Sequence, residues 1–438
     1  MSTSHSLWRW LLQLDRPVPQ LSDAELAATV ERTYPWNFAV NLLDGATFWF
    51  GLSFMSSTTI VPLYISKLTD SQLAIGLVAV IAQASWFLPQ LFTARPVERL
   101  ARKKPVIVNL GFFTERLPMW LLPLSAALAV ASPSLALAIF FLGYAGHGFG
   151  AGVVATAWQD MIARCFPANR RGRFFGTTTF VGNGTGAIGA IASAWILATF
   201  VFAQNFLLTF TIAAAFITIS WFFLALTREP VQPVPAETAS QSNFWAGLGD
   251  ILRRDHNFRR FLFARLLLVM GAMSAGFVTV SAVQTWQVPD STVGVYTTAL
   301  LLGQTVGVLV FGLLADRYGH KLSLESGALA ACLAYVLAWL APAPSWYFAT
   351  FVLMGIGSGA VTVSGILVVL EFSDPHRRPT YAGLANTAAG VLGSIAPILG
   401  AFLASRSYDL LFAASSVFYL AGFLALRLWV KEPRWSQP

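Results

Sequence analysis

Ionisable side chains inside long apolar stretches are the first candidates for chemistry in this sequence, because a charge at the centre of a membrane helix costs about 2.5–3.5 kcal/mol. Asp44 is such a residue, and with Asn37 and Asn41 it forms a polar stripe at i, i+4 and i+7. The stripe predicts a helix face that is turned toward protein or water rather than lipid. A carboxylate buried on that face could exchange protons near neutral pH.

Three further ionisable residues lie deep in apolar stretches, namely Glu115, Arg116 and His147. A buried glutamate could relay protons, and a histidine could titrate or bind a solute. The alternative is that the charges only neutralise each other, with Arg116 paired to Asp44 or to Glu115. Of the five histidines only His147 falls in such a stretch, so we expect no metal site built from clustered histidines.

Polar and aromatic side chains in the apolar stretches could also line a solute site. The amides and indoles that we consider are Gln284, Gln304, Asn386, Trp49 and Trp158. A single amide in a span more often bonds to a neighbouring helix, and Trp is common at the membrane interface. Both interpretations remain open for these residues.

The elements that must position these residues are membrane helices. Hydrophobic residues make up 56% of the chain and charged residues only 11%, whereas a soluble domain carries roughly 25% charged residues. One span needs about 20 apolar residues, and the sequence lacks the alternation typical of a β-barrel. We therefore predict an all-α polytopic membrane protein with twelve transmembrane helices. They lie near residues 37–65, 73–94, 105–130, 134–160, 174–199, 205–226, 259–286, 291–315, 321–341, 345–371, 380–404 and 409–430.

Twelve spans place both termini on one side of the membrane. Of the 28 Lys and Arg residues, all except Lys67, Arg116 and Arg406 fall in segments predicted on that side. This count assigns Arg265 to the loop before the seventh span. Cytoplasmic loops carry such an excess of basic residues, so we predict cytosolic termini in a plasma or bacterial inner membrane. The net charge of +8 then requires no nucleic-acid partner.

The longest predicted loop divides the spans six and six. The predicted parts are a cytosolic amphipathic segment at 1–36, a six-helix bundle at 37–226, a cytosolic linker at 227–258, a second six-helix bundle at 259–430 and a cytosolic tail at 431–438. Within the first segment, Ser22 and Glu25 form a capping-box pattern. The pattern predicts a short helix that ends before Pro35.

A short motif recurs in the loops that follow the second and eighth spans. The later copy contains Gly312, Asp316, Arg317, Gly319 and Lys321. The earlier copy, 218 positions before it, contains Glu98, Arg99 and Lys103. Because six spans separate the copies, the two halves have the same membrane orientation.

A second repeated pattern follows the fourth and tenth spans. Asp160 and Arg171 belong to the earlier copy, and Glu371 and Arg378 belong to the later one. All these charges could form gates between the halves, and the alternative is that they only fix the membrane topology.

The later copy of the first motif resembles the signature of the major facilitator superfamily, and the resemblance covers residues 37–430. The earlier copy departs from it, with Glu98 in place of Asp and Ala101 in place of Gly. Membership would imply two parallel six-helix bundles around a solute site near the midplane. It would also imply that the motif charges hold the halves together on the cytosolic side.

The same resemblance implies that spans one and four line the cavity while span three is peripheral. It therefore favours Asp44 and His147 as functional residues, and it favours Glu115 and Arg116 as a structural pair.

We expect a secondary-active transporter that works by alternating access and couples solute movement to protons through Asp44. The favoured cargo is a small, partly apolar organic molecule moved outward, because Arg116 is the single basic residue expected near the midplane. The alternatives are uptake of a neutral solute such as a sugar or nucleoside, and a non-transporting sensor or membrane enzyme.

The sequence has no G-x-x-x-x-G-K-[ST] phosphate loop. We predict a monomer without cofactor that interacts with solute, protons and lipid.

Overall fold

The computed structural model describes residues 9–19, 21–167, 170–232, 252–365, 367–372 and 378–433. These residues form helices and no strand, and ten of their helices are long and apolar enough to cross a membrane. The predicted all-α polytopic membrane fold is therefore confirmed. The count of twelve transmembrane helices stays a prediction.

Sixteen α-helical segments have both ends within the described residues. They are α1 (Asp23–Ser53), α2 (Ile60–Leu68), α3 (Gln72–Glu98), α4 (Leu117–Met119), α5 (Leu121–Leu128), α6 (Pro133–Cys165), α7 (Arg171–Thr199), α8 (Gln204–Ala225), α9 (His256–Gly271), α10 (Ala275–Trp286), α11 (Asp290–Tyr318), α12 (His320–Trp339), α13 (Trp346–Ser364), α14 (Leu367–Glu371), α15 (Arg378–Ala404) and α16 (Tyr408–Trp429). Two π-helical stretches, Val106–Leu110 and Phe112–Arg116, precede α4, and a 3-10 turn, Ala272–Ser274, joins α9 to α10.

Contacts divide the chain into two units. Unit 1 consists of Met1–Met55, Ser85–Gly189 and Phe200–Ser240, and unit 2 consists of Ser56–Ala84, Ala190–Thr199 and Gln241–Pro438. In unit 1, α1 packs against α8, and α6 packs against α5 and the π-helical stretches. In unit 2, α13 packs against α11 and α12, and α16 packs against α9 and α12.

The predicted domain boundaries remain predictions. Residues 233–251, which form most of the predicted linker, lie outside the described residues.

Helix α1 is longer than the sequence predicts. The capping box is present, since the Ser22 hydroxyl accepts a hydrogen bond from the Glu25 backbone and the Glu25 carboxylate accepts one from the Ser22 backbone. The expected helix end before Pro35 is wrong, because α1 continues through Pro35 to Ser53. Contacts on both sides hold the chain helical, and the Tyr34 ring lies 5.9 Å from the Phe166 ring. This packing offsets the single backbone hydrogen bond that proline removes.

The first predicted span is interrupted after α1. A turn follows Ser53, and the chain becomes helical again at Ile60. Residues of the turn bond to neighbouring helices of unit 2, with the Thr59 and Thr297 hydroxyls 2.6 Å apart and the Thr279 hydroxyl donating to the Thr58 carbonyl at 2.9 Å. A run of serine and threonine favours such turns over a continuous helix.

The third predicted span is irregular. It consists of the two π-helical stretches, α4 and α5, and it contains Pro118 and Pro123. Each proline removes a backbone donor that a regular helix would use. π-Helical turns often occur at functional sites, and here the second π-helical stretch carries Glu115 and Arg116.

Glycines of α6 allow this irregular segment to approach closely. A Cβ atom built on Gly150 would lie 2.0 Å from the Thr114 carbonyl oxygen, and one built on Gly143 would lie 2.9 Å from the Pro118 carbonyl oxygen. Unit 2 has an equivalent contact between α11 and α13, where a Cβ on Gly355 would lie 2.1 Å from the Leu300 carbonyl oxygen. These three glycines thus mark backbone-to-backbone helix contacts.

We expect Gly150→Ala to destabilise the protein, because the added methyl would overlap the Thr114 carbonyl and force the helices apart, at a cost of about 1–3 kcal/mol. Gly184→Ala is the matched control, since a Cβ there would meet no described atom within 4 Å. Thermal unfolding in detergent should give a lower Tm for Gly150→Ala only. Equal Tm values for the two variants would contradict this packing.

Candidate functional site

Three of the predicted ionisable residues meet inside unit 1. Glu115 and Arg116 form an ion pair, and each residue is only 5% exposed. His147 on α6 is also buried, and its Nδ1 lies 3.1 Å from the Glu115 carbonyl oxygen. The close approach at Gly150 brings α6 to this part of the backbone.

Asp44 belongs to the same group of residues. Its carboxylate accepts a hydrogen bond of 2.6 Å from the Ser220 hydroxyl on α8, and it interacts electrostatically with Glu115 and Arg116. The Arg116 guanidinium also lies 5.8 Å from the ring centre of Phe48, one turn along α1 from Asp44. We call Asp44, Glu115, Arg116 and His147 the buried charge cluster.

The cluster holds more carboxylates than cations. The sequence allowed Arg116 to pair with Asp44 or with Glu115, and in the structure it pairs with Glu115. Asp44 therefore remains as a second carboxylate. A carbonyl oxygen can only accept, so Nδ1 of His147 must carry the hydrogen, and a neutral imidazole then presents Nε2 as an acceptor. The arrangement can therefore take up a proton at Asp44 or at His147.

The other members of the α1 stripe face protein, as the sequence predicts. The Asn41 amide donates to the Thr227 hydroxyl at 3.1 Å and to the Asn37 carbonyl at 2.8 Å. The Asn37 amide donates to the Arg228 carbonyl at 3.0 Å, and the Arg228 backbone amide donates back to Asn37 at 2.8 Å. Both asparagines thus hold the chain that follows α8. A role for Asn41 in proton coupling stays a prediction.

Unit 2 contains the same clamp. The Asn257 amide donates to the Lys431 carbonyl at 3.0 Å, and the Lys431 backbone amide donates back at 2.8 Å. In both units an Asn-Phe pair on a helix holds a basic residue that precedes Glu-Pro, at 228–230 and at 431–433. This repeat is visible in the sequence but lies outside the loop motifs on which the predicted duplication rests.

The Glu-Pro glutamate of unit 1 bonds to the first loop motif. Glu229 accepts hydrogen bonds from the backbone amides of Lys103 at 2.8 Å and Lys104 at 2.9 Å. Burial raises the pKa of Glu229, although these two hydrogen bonds oppose the shift. Burial likewise lowers the pKa of Lys103, against the effect of Asp160.

The predicted gating residues of unit 1 meet in part. Lys103 Nζ lies 3.1 Å from the Asp160 carboxylate, which also accepts two hydrogen bonds from Arg164. Arg171 instead donates to the carbonyls of Phe166 and Ala163 at the end of α6. Glu98 and Arg99 are exposed at the end of α3. Arg164 was missed because it lies outside the repeated pattern.

The motif of unit 2 is arranged differently. Lys321 pairs with Glu325 at 2.8 Å, and its neighbour His320 lies 3.9 Å from Glu371. Gly319 joins α11 to α12 with φ +95°, a conformation that favours glycine. A Cβ there would lie 2.5 Å from the Glu432 carboxyl group.

The remaining motif residues have these positions. Asp316 and Arg317 lie in the last turn of α11, with the Arg317 guanidinium 5.2 Å from the Tyr318 ring centre, and Gly312 lies about one turn earlier. Arg378 begins α15, and its side chain lies outside the described residues. Their gating role stays a prediction.

The predicted solute residues lie in separate places. In unit 1, Trp49 packs against Gly182 and Trp158 contacts the Phe175 ring edge-on. In unit 2, Gln284 near the end of α10 accepts from the Tyr408 hydroxyl at 2.7 Å, and the backbone of Gln304 lies where α11 contacts α13. These contacts bring none of the four together, and solute binding by each stays a prediction.

The hydrogen-bond partner of Asn386 is Arg265, a residue that we expected in a loop. Asn386 Oδ1 accepts a hydrogen bond of 3.2 Å from Arg265 Nη2. The assignment of Arg265 to a loop is wrong, because Asp255 caps α9 and the helix begins at His256. Arg265 therefore lies about 13 Å along a helix that is long and apolar enough to span a membrane.

The described residues contain no group of three or more His, Cys, Asp or Glu side chains that could hold a metal ion.

Comparison with known proteins gives matches along almost the whole chain. A family model described as Major Facilitator Superfamily matches residues 45–285 and 261–437. A chloroplastic protein of Oryza sativa subsp. japonica, named probable anion transporter 3, is 29% identical over 160 residues, which cover 36% of this chain and 30% of that protein. The multidrug resistance protein MdtL of Escherichia coli is 27% identical over 139 residues, which cover 32% of this chain and 36% of that protein. The matched stretches thus span about a third of these relatives.

A solved structure of the nucleoside transporter NupG shares the fold. It has a TM-score of 0.66 at 14% identity and covers 89% of this chain and 99% of its own.

We expect Asn37→Ala to lower the stability of the protein, because the backbone of Arg228 would lose both partners of the clamp, at a cost of about 1–3 kcal/mol. Asn257→Ala removes the matching pair of bonds at a more exposed position, where water can replace them, so its loss should be smaller. Thermal unfolding of the two variants measures the difference. A larger loss for Asn257→Ala would contradict the assignment of Asn37 to a buried clamp.

Proposed function

We propose that this chain moves a small organic solute by alternating access, in exchange with or together with protons. The chain belongs to the Major Facilitator Superfamily and is therefore a membrane transporter and not an enzyme. The proton-exchanging group is Asp44 in the buried charge cluster. Export is the direction that we favour. The location is a plasma membrane with both termini in the cytosol, and the transporter works as a monomer.

The observation that carries this proposal is the charge balance of the cluster. One guanidinium faces two carboxylates, and the guanidinium pairs with Glu115. An ionised Asp44 therefore leaves one uncompensated negative charge within the apolar helices, and protonation removes it. Because an isolated charge in such surroundings is costly, the proton occupancy of Asp44 changes the free energy of the whole cluster.

Ser220 allows Asp44 to keep a hydrogen bond in both protonation states. Its hydroxyl donates to the ionised carboxylate at 2.6 Å, and it can accept from the protonated carboxyl group, since a hydroxyl is both donor and acceptor. Protonation thus changes the charge without breaking the contact between α1 and α8. The close contact at Gly150 couples α6 directly to the π-helical backbone that carries Glu115 and Arg116.

The motif charges act as a gate at the end of α6. Lys103, Asp160 and Arg164 form one ion-paired group, which Glu229 joins through the backbone of Lys103. Such a group can open only when several charge-assisted bonds break together. The energy for this opening comes from solute binding and proton exchange.

Uptake of a neutral solute is the second candidate, and the structural neighbour named a nucleoside transporter favours it. The multidrug resistance name of the Escherichia coli relative favours export. The rice relative has a name that refers to anions. Because the matched stretches are short, these names suggest candidate solutes and do not choose among them.

The experiment uses purified protein in proteoliposomes that contain a pH-sensitive dye. An imposed pH gradient is combined with a panel of lipophilic cations, organic anions and neutral solutes. We expect at least one solute to drive proton flux in the wild type, and we expect Asp44→Asn to reduce that flux to the level of empty liposomes, because the amide cannot exchange a proton.

Asp409→Asn is the matched control, since Asp409 is an exposed carboxylate in the first turn of α16. It should retain the wild-type flux. Unchanged solute-driven proton flux in Asp44→Asn would contradict the coupling role of Asp44.

A further inference from the structure

Arg265 is a cation within the apolar helices that has no anionic partner. Among the described residues it forms no ion pair within 4 Å, and the oxygen that accepts from it is Asn386 Oδ1, at 3.2 Å from Nη2. Its Nη1 is buried and has no hydrogen-bond partner in the described part of the chain. The guanidinium has five donors, and the described residues satisfy Nη2 through Asn386 but leave the buried Nη1 without an acceptor.

Arg116 differs from Arg265 because it has an anionic partner, although its Nε also has no hydrogen-bond partner in the described part of the chain. It forms an ion pair with Glu115 inside unit 1, so its charge is neutralised within the protein. Arg265 in unit 2 has a neutral amide in the corresponding role. A buried arginine that only stabilised the fold would need a carboxylate or several carbonyls, because burying an unpaired charge is costly.

The helices around Arg265 are packed less closely than at the backbone-to-backbone contacts described above. Val269 lies one turn further along α9, and Gly393 lies about two turns beyond Asn386 on α15. A Cβ built on Gly393 would lie 3.7 Å from its nearest neighbours, in Val269 and in Gln83 of α3. The helices are therefore in ordinary contact there and not locked backbone to backbone, and the Arg265 side chain remains partly exposed.

We propose that Arg265 and Asn386 form the subsite for the carboxylate group of the cargo, which is a small organic monocarboxylate. An arginine fork binds a carboxylate through two parallel hydrogen bonds, and the unused Nη1 supplies the second donor. Asn386 orients the fork. One guanidinium beside a neutral amide compensates one negative charge, which selects a monoanion over a dianion.

This inference rests on the proposed function only in so far as the chain moves a solute. It narrows our expectation of a small, partly apolar organic cargo to a carboxylate, since that expectation counted Arg116 as the single basic residue near the midplane. It holds for export and for uptake. A carboxylate bound at Arg265 removes the excess positive charge of unit 2, as a proton on Asp44 removes the excess negative charge of unit 1.

The test measures binding, so that it does not depend on proton coupling. Full-length protein in detergent is heated with benzoate, phenylacetate or lactate, and with benzamide, phenylacetamide or lactamide as neutral counterparts. We expect at least one carboxylate to raise the Tm in a saturable way while its amide does not. Inorganic phosphate serves as the second anion and should have no effect.

Three variants locate the effect. Arg265→Gln should abolish the carboxylate-dependent rise in Tm, and Arg265→Lys should weaken the apparent affinity about tenfold or more, because lysine keeps the charge and loses the fork. Arg259→Gln is the matched control, an exposed arginine on the same helix, and it should bind as the wild type does. Without ligand, Arg265→Gln should be at least as stable as the wild type, since it removes an uncompensated charge.

Several results would overturn the proposal. They are a carboxylate effect retained in Arg265→Gln, an equal effect of the amides, an effect of phosphate alone, and no effect of any carboxylate in the panel. If Arg265→Gln does not fold, carboxylate binding to Arg265→Lys with the affinity of the wild type would overturn the proposal. Asp44→Asn should keep carboxylate binding while losing proton flux, so failure of the subsite and failure of the coupling proposal are distinguishable.

Discussion

The ion pair between Glu115 and Arg116 is the interaction on which the rest of unit 1 depends. Two opposite charges can remain within apolar helices only if they neutralise each other and few other charges surround them. The π-helical backbone presents both side chains, and the glycines of α6 bring His147 to the Glu115 carbonyl. Because Arg116 is already paired, the charge of Asp44 depends on a proton.

The two units repeat their clamps and differ in their buried charges. Each unit holds a basic residue before Glu-Pro with an asparagine, through two hydrogen bonds of the same kind. By contrast, unit 1 has an excess carboxylate and unit 2 has an excess guanidinium at Arg265. The two units thus repeat their packing, while their different buried charges give each a different chemistry.

Much of the fold could be predicted from the sequence, because apolar length and charge distribution directly reflect the bilayer. The buried ionisable residues were also identifiable, since a charge in an apolar stretch needs a reason. Two kinds of feature were not predictable. The continuity of α1 through Pro35 and the π-helical turns depend on tertiary contacts, and these override local preferences. The predicted seventh span, from residue 259, already contained Arg265, but the charge count grouped this residue with the preceding loop, so its place within an apolar helix was overlooked.

The protonation of Asp44 is the central claim, and infrared difference spectroscopy tests it most directly. Purified wild-type protein and Asp44→Asn are titrated through neutral pH, and the carbonyl stretch of a protonated carboxyl group is recorded at each step. The charge balance of the cluster predicts a band from protonated Asp44 that disappears as pH rises and that is absent from Asp44→Asn. An identical set of carboxyl bands in both proteins throughout the titration would contradict it.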